Sequence, residues 1–111
     1  MVKLAIIHPS VRESLRLFPE EVRRAFGKAI HELQRGIKLE FPLSRPIREV
    51  MVGVEELRIR DRSGAYRVFY FSKHRRGILV FHAFVKKTEK TPNHEIEVGK
   101  NRLREMLNEE I

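Results

Sequence analysis

Residues 56–87 read ELRIRDRSGAYRVFYFSKHRRGILVFHAFVKK, and the alternation within them decides the fold. From Glu56 to Arg62, Leu57 and Ile59 alternate with Arg58, Arg60 and Arg62, the period of a strand with one buried face. Ser63-Gly64 reads as a turn, and Tyr66 to Ser72 is then aromatic and β-branched. Lys73 to Gly77 is a second polar turn. Ile78 to Val85 is apolar at successive positions, as expected of an interior strand covered on both faces. Connections this short permit only an antiparallel meander.

Working outward, Val2 to Ile7 is a short apolar run ended by His8-Pro9, a strand leading into a helix. Ser10 and Glu13 have capping-box spacing, and Val11, Leu15 and Phe18 fall on one helical stripe. Pro19 opens a second helix with Glu20 and Glu21 near its positive end. Val22, Phe26, Ile30 and Leu33, with Ala25 and Ala29 alongside, form its buried face, and Gly36 ends it. Pro42 and Pro46 exclude regular helix, so residues 41–46 are expected to be a linker with apolar anchors. Downstream, Thr91-Pro92 pairs an N-cap with proline at the first helical position, and Ile96, Leu103 and Leu107 line the packing face. The expected order is β-α-α-β-β-β-α. This is a single α+β domain over residues 1–111, with helices packed on a small, mostly antiparallel sheet.

Bulk properties narrow the function. The chain is 41% hydrophobic, too apolar for a disordered tail, and carries a net charge of +8. It has no cysteine, which excludes disulfides, thiolate catalysis and zinc–thiolate sites. His8, His31, His74, His82 and His94 follow no metal-ligand spacing, so neither metal nor cofactor is expected. No apolar run approaches the roughly 20 residues of a membrane span, and residues 1–10 lack the features of a signal peptide. A cytoplasmic protein without a membrane partner is expected.

The charge is concentrated. Residues 55–91 carry ten basic and four acidic side chains, whereas residues 92–111 carry three and five. Arg58, Arg60 and Arg62 on one strand face would lie roughly 6.5–7 Å apart, close to the spacing of successive phosphates. Arg67 on the next strand should project onto the same face, free to meet an anion, because an unpaired charge on the core side costs several kcal/mol. Lys86 and Lys87 can converge there from the third strand. A basic strand face also protects a sheet edge from aggregation, which is the plainer reading. Phe69, Phe71, Phe81 and Phe84 could stack on bases, but a domain this small needs them in its core. A lone histidine such as His82, within an apolar strand, is more often a satisfied core residue than a catalyst.

The stretch Glu56-Leu57-Arg58 to Tyr66-Arg67-Val68 resembles the "ELR…R…YRV" hairpin of phage-derived HigB-like toxins. His82-Ala83-Phe84-Val85-Lys86-Lys87-Thr88 with Lys90-Thr91-Pro92 resembles their "H-A/G-F-x-K-K-T-x-K-T-P" signature, continued by Glu95 and Ile96. Leu43-Ser44-Arg45-Pro46-Ile47 resembles their "LSKPL" linker, and the likeness runs from about residue 2 to residue 108. The resemblance implies a RelE-like fold and an endoribonuclease that cuts mRNA on the ribosome. It also implies an inhibitory antitoxin, a helix-turn-helix DNA-binding protein, in a toxin–antitoxin hetero-oligomer. Carried over by position, Arg67 meets the scissile phosphate, Arg58 and Arg60 are the strand's basic residues, and Lys87, beside Lys86, follows the last strand. Arg62 and Lys90 extend the RNA-binding set. Some relatives place a proton-transferring tyrosine near the C-terminus, but the tyrosines here are Tyr66 and Tyr70, so that role falls to His82, His94 or Glu95. Attack of an RNA 2′-hydroxyl on its own phosphate needs positioning and charge stabilisation, which arginine and lysine supply without a metal. Two other functions fit the same resemblance: an RNA-binding module without catalysis, and a ParE-like gyrase inhibitor.

Overall fold

The computed structural model describes residues 2–109. Its elements are β1 (Ala5–Ile7), α1 (Pro9–Leu17), α2 (Glu20–Gln34), β2 (Ser44–Pro46), β3 (Val54–Asp61), β4 (Gly64–His74), β5 (Gly77–Lys86) and α3 (Asn93–Asn108). The fold is α+β, with a five-stranded sheet in the order β1-β5-β4-β3-β2. Strands β3, β4 and β5 form the expected antiparallel meander, and β1 joins β5 in parallel through Ala5↔Ile78 and Ile7↔Val80. β5 is interior, although β4 holds the centre of the sheet.

The expected linker is the main departure. Ser44–Pro46 forms an edge strand paired with Glu55–Leu57, where Pro46 is tolerated because its missing N–H would face outward. Polar ties dock this strand. The Ser44 hydroxyl donates to Glu55 Oε1 at 3.0 Å and shares a 2.6 Å bond with the Tyr70 hydroxyl, whose pKa burial pushes up to about 12. Phe41 is no anchor, being 70% exposed, whereas Leu39 and Ile47 are buried.

Helix starts also shift by a residue or two. His8, not Ser10, caps α1, its ring Nδ1 accepting from the Ser10 backbone N–H. Pro19 and Pro92 sit one position before α2 and α3 rather than inside them, and Thr91 is freed for another contact described below. The β3–β4 turn has Arg62-Ser63 at its centre, so Arg62 stands at the hairpin tip and only Arg58 and Arg60 lie on the strand.

Helices cover both faces of the sheet. The α1–α2 hairpin sets Val11, Phe18, Val22, Phe26, Ile30 and Leu33 against Leu57, Ile59, Tyr66, Val68, Ile78 and Val80. On the opposite face Ile96, Leu103 and Met106 of α3 pack on Val54, Phe69, Leu79, Phe81 and Phe84. A bulge in β5, where Phe69 pairs with His82 and Tyr70 with Val80, leaves Phe81 as the extra residue and turns both Phe81 and His82 toward α3. On this face cross-strand rows run Glu56–Phe69–His82, then Arg58–Arg67–Phe84, then Arg60–Ala65–Lys86. Contacts from α3 cover the first row at His82 and reach only the Phe84 end of the second. The outer rows carry the charge.

Candidate nucleic-acid interface

Beyond the reach of α3 the outer rows open into a groove of about 720 Å³ whose lining includes Arg58, Arg60, Arg62, Arg67, Lys86 and Lys87. A smaller cavity of about 350 Å³ adjoins it, where Pro42 and Leu43 meet Arg58, Arg60 and Arg67. Strand pairing alone assembles this cluster. Arg58 stands directly opposite Arg67, and Arg60 and Lys86 flank Ala65, whose small side chain leaves the floor open.

Arg67 is on the expected face but not free in the expected way. It is only 4% exposed, with Nε 3.9 Å from Oε1 of the fully buried Glu56. Burial lowers its pKa; the Glu56 carboxylate opposes that shift, and Arg58, Arg60 and Arg45 add to it. Glu56 also accepts from Arg45 Nε at 3.0 Å and from the Thr91 hydroxyl at 2.9 Å. One buried carboxylate thus fixes Arg45 on β2, the loop before α3, and the countercharge beneath Arg67. Neither Arg58 Nε nor Arg67 Nε, both buried, has a hydrogen-bond partner among the described residues. A buried donor without an acceptor costs roughly 1–3 kcal/mol. Lys86 has its pKa lowered by partial burial and then by Arg67, and its Nζ donates to the Glu89 carbonyl.

The model of the family described as "Phage derived protein Gp49-like (DUF891)" matches residues 13–104. The chain belongs to this Gp49-like family. The match runs from within α1 to within α3 and includes every groove residue named above. No curated protein matches the chain.

The remaining candidate residues of this Gp49-like protein lie elsewhere. His82 is buried, with Nε2 2.6 Å from Glu95 Oε1 and Nδ1 2.8 Å from an Arg102 nitrogen, and its ring stacks on Phe84. Both ring nitrogens are therefore engaged, and burial lowers its pKa against the opposing pull of Glu95. Glu95 is committed to that pair, while His94 is exposed in the first turn of α3. Lys90 lines a different cavity with Arg45, Pro46 and Thr91. Phe69, Phe81 and Phe84 are core, and Phe71 is half-buried against the same cluster. Sequence reasoning missed Glu56 as the organiser, although it shares the i, i+2, i+4 face with Arg58 and Arg60. It also missed the contacts of Thr91 and Arg45, which lie within quoted motifs but carry no site role there, and Arg102, for which no local pattern gives a signal. Among the described residues no His, Asp and Glu cluster is placed to hold a metal ion, and no helix is long and apolar enough to cross a membrane.

Proposed function

We propose that this Gp49-like chain is a toxin of the RelE/HigB kind, an endoribonuclease that cuts mRNA on the ribosome and is held inactive by a cognate helix-turn-helix antitoxin. The observation that carries this reading is the pair of buried Arg58 and Arg67 Nε donors, without a hydrogen-bond partner among the described residues, under an open groove of basic side chains. Such a site fits an anion with several acceptor oxygens, and a phosphodiester is the anion that extends into Arg60, Arg62 and Lys87 on either side.

In the proposed reaction the 2′-hydroxyl gives up its proton to solvent as it attacks phosphorus, the bond to the 5′-oxygen breaks, and a 2′,3′-cyclic phosphate forms. Arg67 and Arg58 meet the non-bridging oxygens, where charge grows in the transition state. Arg60 and Lys87 hold the flanking backbone in line. His82 and Glu95 are occupied with each other beneath α3, so the proton for the leaving 5′-oxygen is assigned to Lys86, whose ammonium form is disfavoured by its surroundings.

The test is translation of an mRNA with and without the protein, followed by primer extension. Cleavage within the translated frame, with 2′,3′-cyclic phosphate ends, is expected. Growth arrest on induction should be relieved by co-expressing the neighbouring antitoxin gene. RNA binding without cuts would indicate a non-catalytic module, and DNA breaks with intact mRNA would indicate a gyrase inhibitor.

A further inference from the structure

Phe41 is 70% exposed, although the turn that carries it is pinned on its other side: the Leu43 carbonyl accepts from Arg58 N–H at 2.7 Å. Pro42 and Leu43, the next two residues, wall the cavity shared with Arg58, Arg60 and Arg67. The Arg58 guanidinium lies over the Phe41 ring, 5.2 Å from its centroid. One face of the ring is thus backed by a cation that also lines the groove, while most of the ring meets solvent. Leaving a phenylalanine in water forgoes apolar burial, and the contact this ring makes is with the Arg58 cation. An aromatic face beside a row of phosphate-binding cations is the arrangement by which proteins grip single strands: the cations track the backbone and the ring takes a base.

We infer that Phe41 is a stacking platform for an unpaired nucleobase next to the phosphate held by Arg58 and Arg67, which restricts the groove to single-stranded RNA. This rests on the proposed RNA interface and adds to it a recognition element and a substrate class. A paired base keeps both faces stacked within its helix and cannot lie on the ring. The Arg58 contact fixes the ring's attitude, so the base approaches from the side opposite the guanidinium.

The chain contains no tryptophan, so Phe41→Trp supplies a single indole reporter. It would be titrated with a short 2′-O-methyl RNA, which cannot be cleaved, with the same backbone lacking bases, and with a duplex. Strong quenching by the base-bearing single strand alone is expected. Phe41→Ala should weaken binding of that strand by about tenfold, the scale of one base–aromatic stack, with no change for the abasic strand or in the salt slope. Phe41→Tyr should restore binding, and a thermal melt should show all three variants as stable as the parent. Equal quenching by the abasic strand, or undiminished binding by Phe41→Ala, would overturn the stacking role while leaving the cationic interface intact. If the wild-type protein shows no salt-sensitive binding of either strand, the interface itself falls, and Phe41 with it.

Discussion

Arg67 lies at the junction of structure and proposed chemistry, and its variants separate the two. Arg67→Ala removes a donor that would meet growing phosphoryl charge, which typically costs on the order of 100- to 1,000-fold in rate. It also empties a buried site beside Glu56, although Arg45 and Thr91 still hold that carboxylate. Arg67→Met keeps most of the buried stem, and Arg67→Lys keeps the charge without the planar fork. We expect Met to abolish cleavage as fully as Ala while melting closer to wild type, and Lys to recover part of the rate. The measurements are cleavage on programmed ribosomes and a thermal melt of each variant. Wild-type cleavage by a stable Arg67→Met would end the assignment.

His82 makes a different residue-scale prediction. Burial holds its folded pKa below the unfolded value of about 6.5, so below that pH the unfolded chain binds a proton that the folded chain does not. Its contribution to stability is complete above about pH 6.5 and drains as pH falls toward the lower folded value. His82→Gln, which cannot titrate, should flatten the denaturation midpoint between pH 6.5 and 5 relative to wild type. An identical slope in both proteins would mean that other groups carry it. The placement of Arg58, Arg60 and Arg67 on one face was legible from period two. That Arg67 is buried over a carboxylate was not, because the residues that hold that carboxylate in place, Thr91 and Arg45, come from distant segments.

At the scale of elements, two glycines in different surroundings should respond oppositely to the same change. Gly77 opens β5 with φ of +142°, and a Cβ there would lie 2.3 Å from the Leu4 carbonyl oxygen just before β1. Gly77→Ala should therefore displace β1 and cost about 2 kcal/mol or more, a Tm loss on the order of 10 °C. Gly27 is exposed in α2 with open space around its Cβ position, so Gly27→Ala should stabilise by up to about 1 kcal/mol. Calorimetry of both proteins checks the pair; a neutral Gly77→Ala would show that β1 is not tightly docked. Elements with strong apolar periodicity, α2 and the three long strands, were readable from sequence. β2 was not, since Ser44, Arg45 and Pro46 carry no apolar pattern and are held by Tyr70, Glu55 and Glu56.

For the molecule as a whole, the net charge of +8 should act mainly through the groove. RNA affinity should fall steeply with salt, by roughly 0.7 in log K per log unit for each single-strand phosphate contacted. Arg60→Ala, on an exposed position of the outer row, should make the slope shallower by about one contact. An unchanged slope would return Arg60 to the role of guarding a sheet edge, which the structure allows because β2 pairs only as far as Leu57.

The parallel pairing of β1 with β5 also sets a timetable for synthesis. Ala5 emerges from a ribosome long before Ile78, its partner in the sheet, and at roughly 5–20 residues per second the interval is several seconds. Until β3 and β4 follow, the apolar side of the α1–α2 hairpin has no sheet to rest on, and Val11 and Val22 wait longer still for Ile78 and Val80. The basic lining of the groove is completed by Lys86 and Lys87, soon after β1 gains its neighbour. Docking of β1 and assembly of the groove therefore fall together, before α3 is made. Nascent chains stalled before Ile78 should be cut readily by protease, and chains extended past α3 should resist it once clear of the exit tunnel.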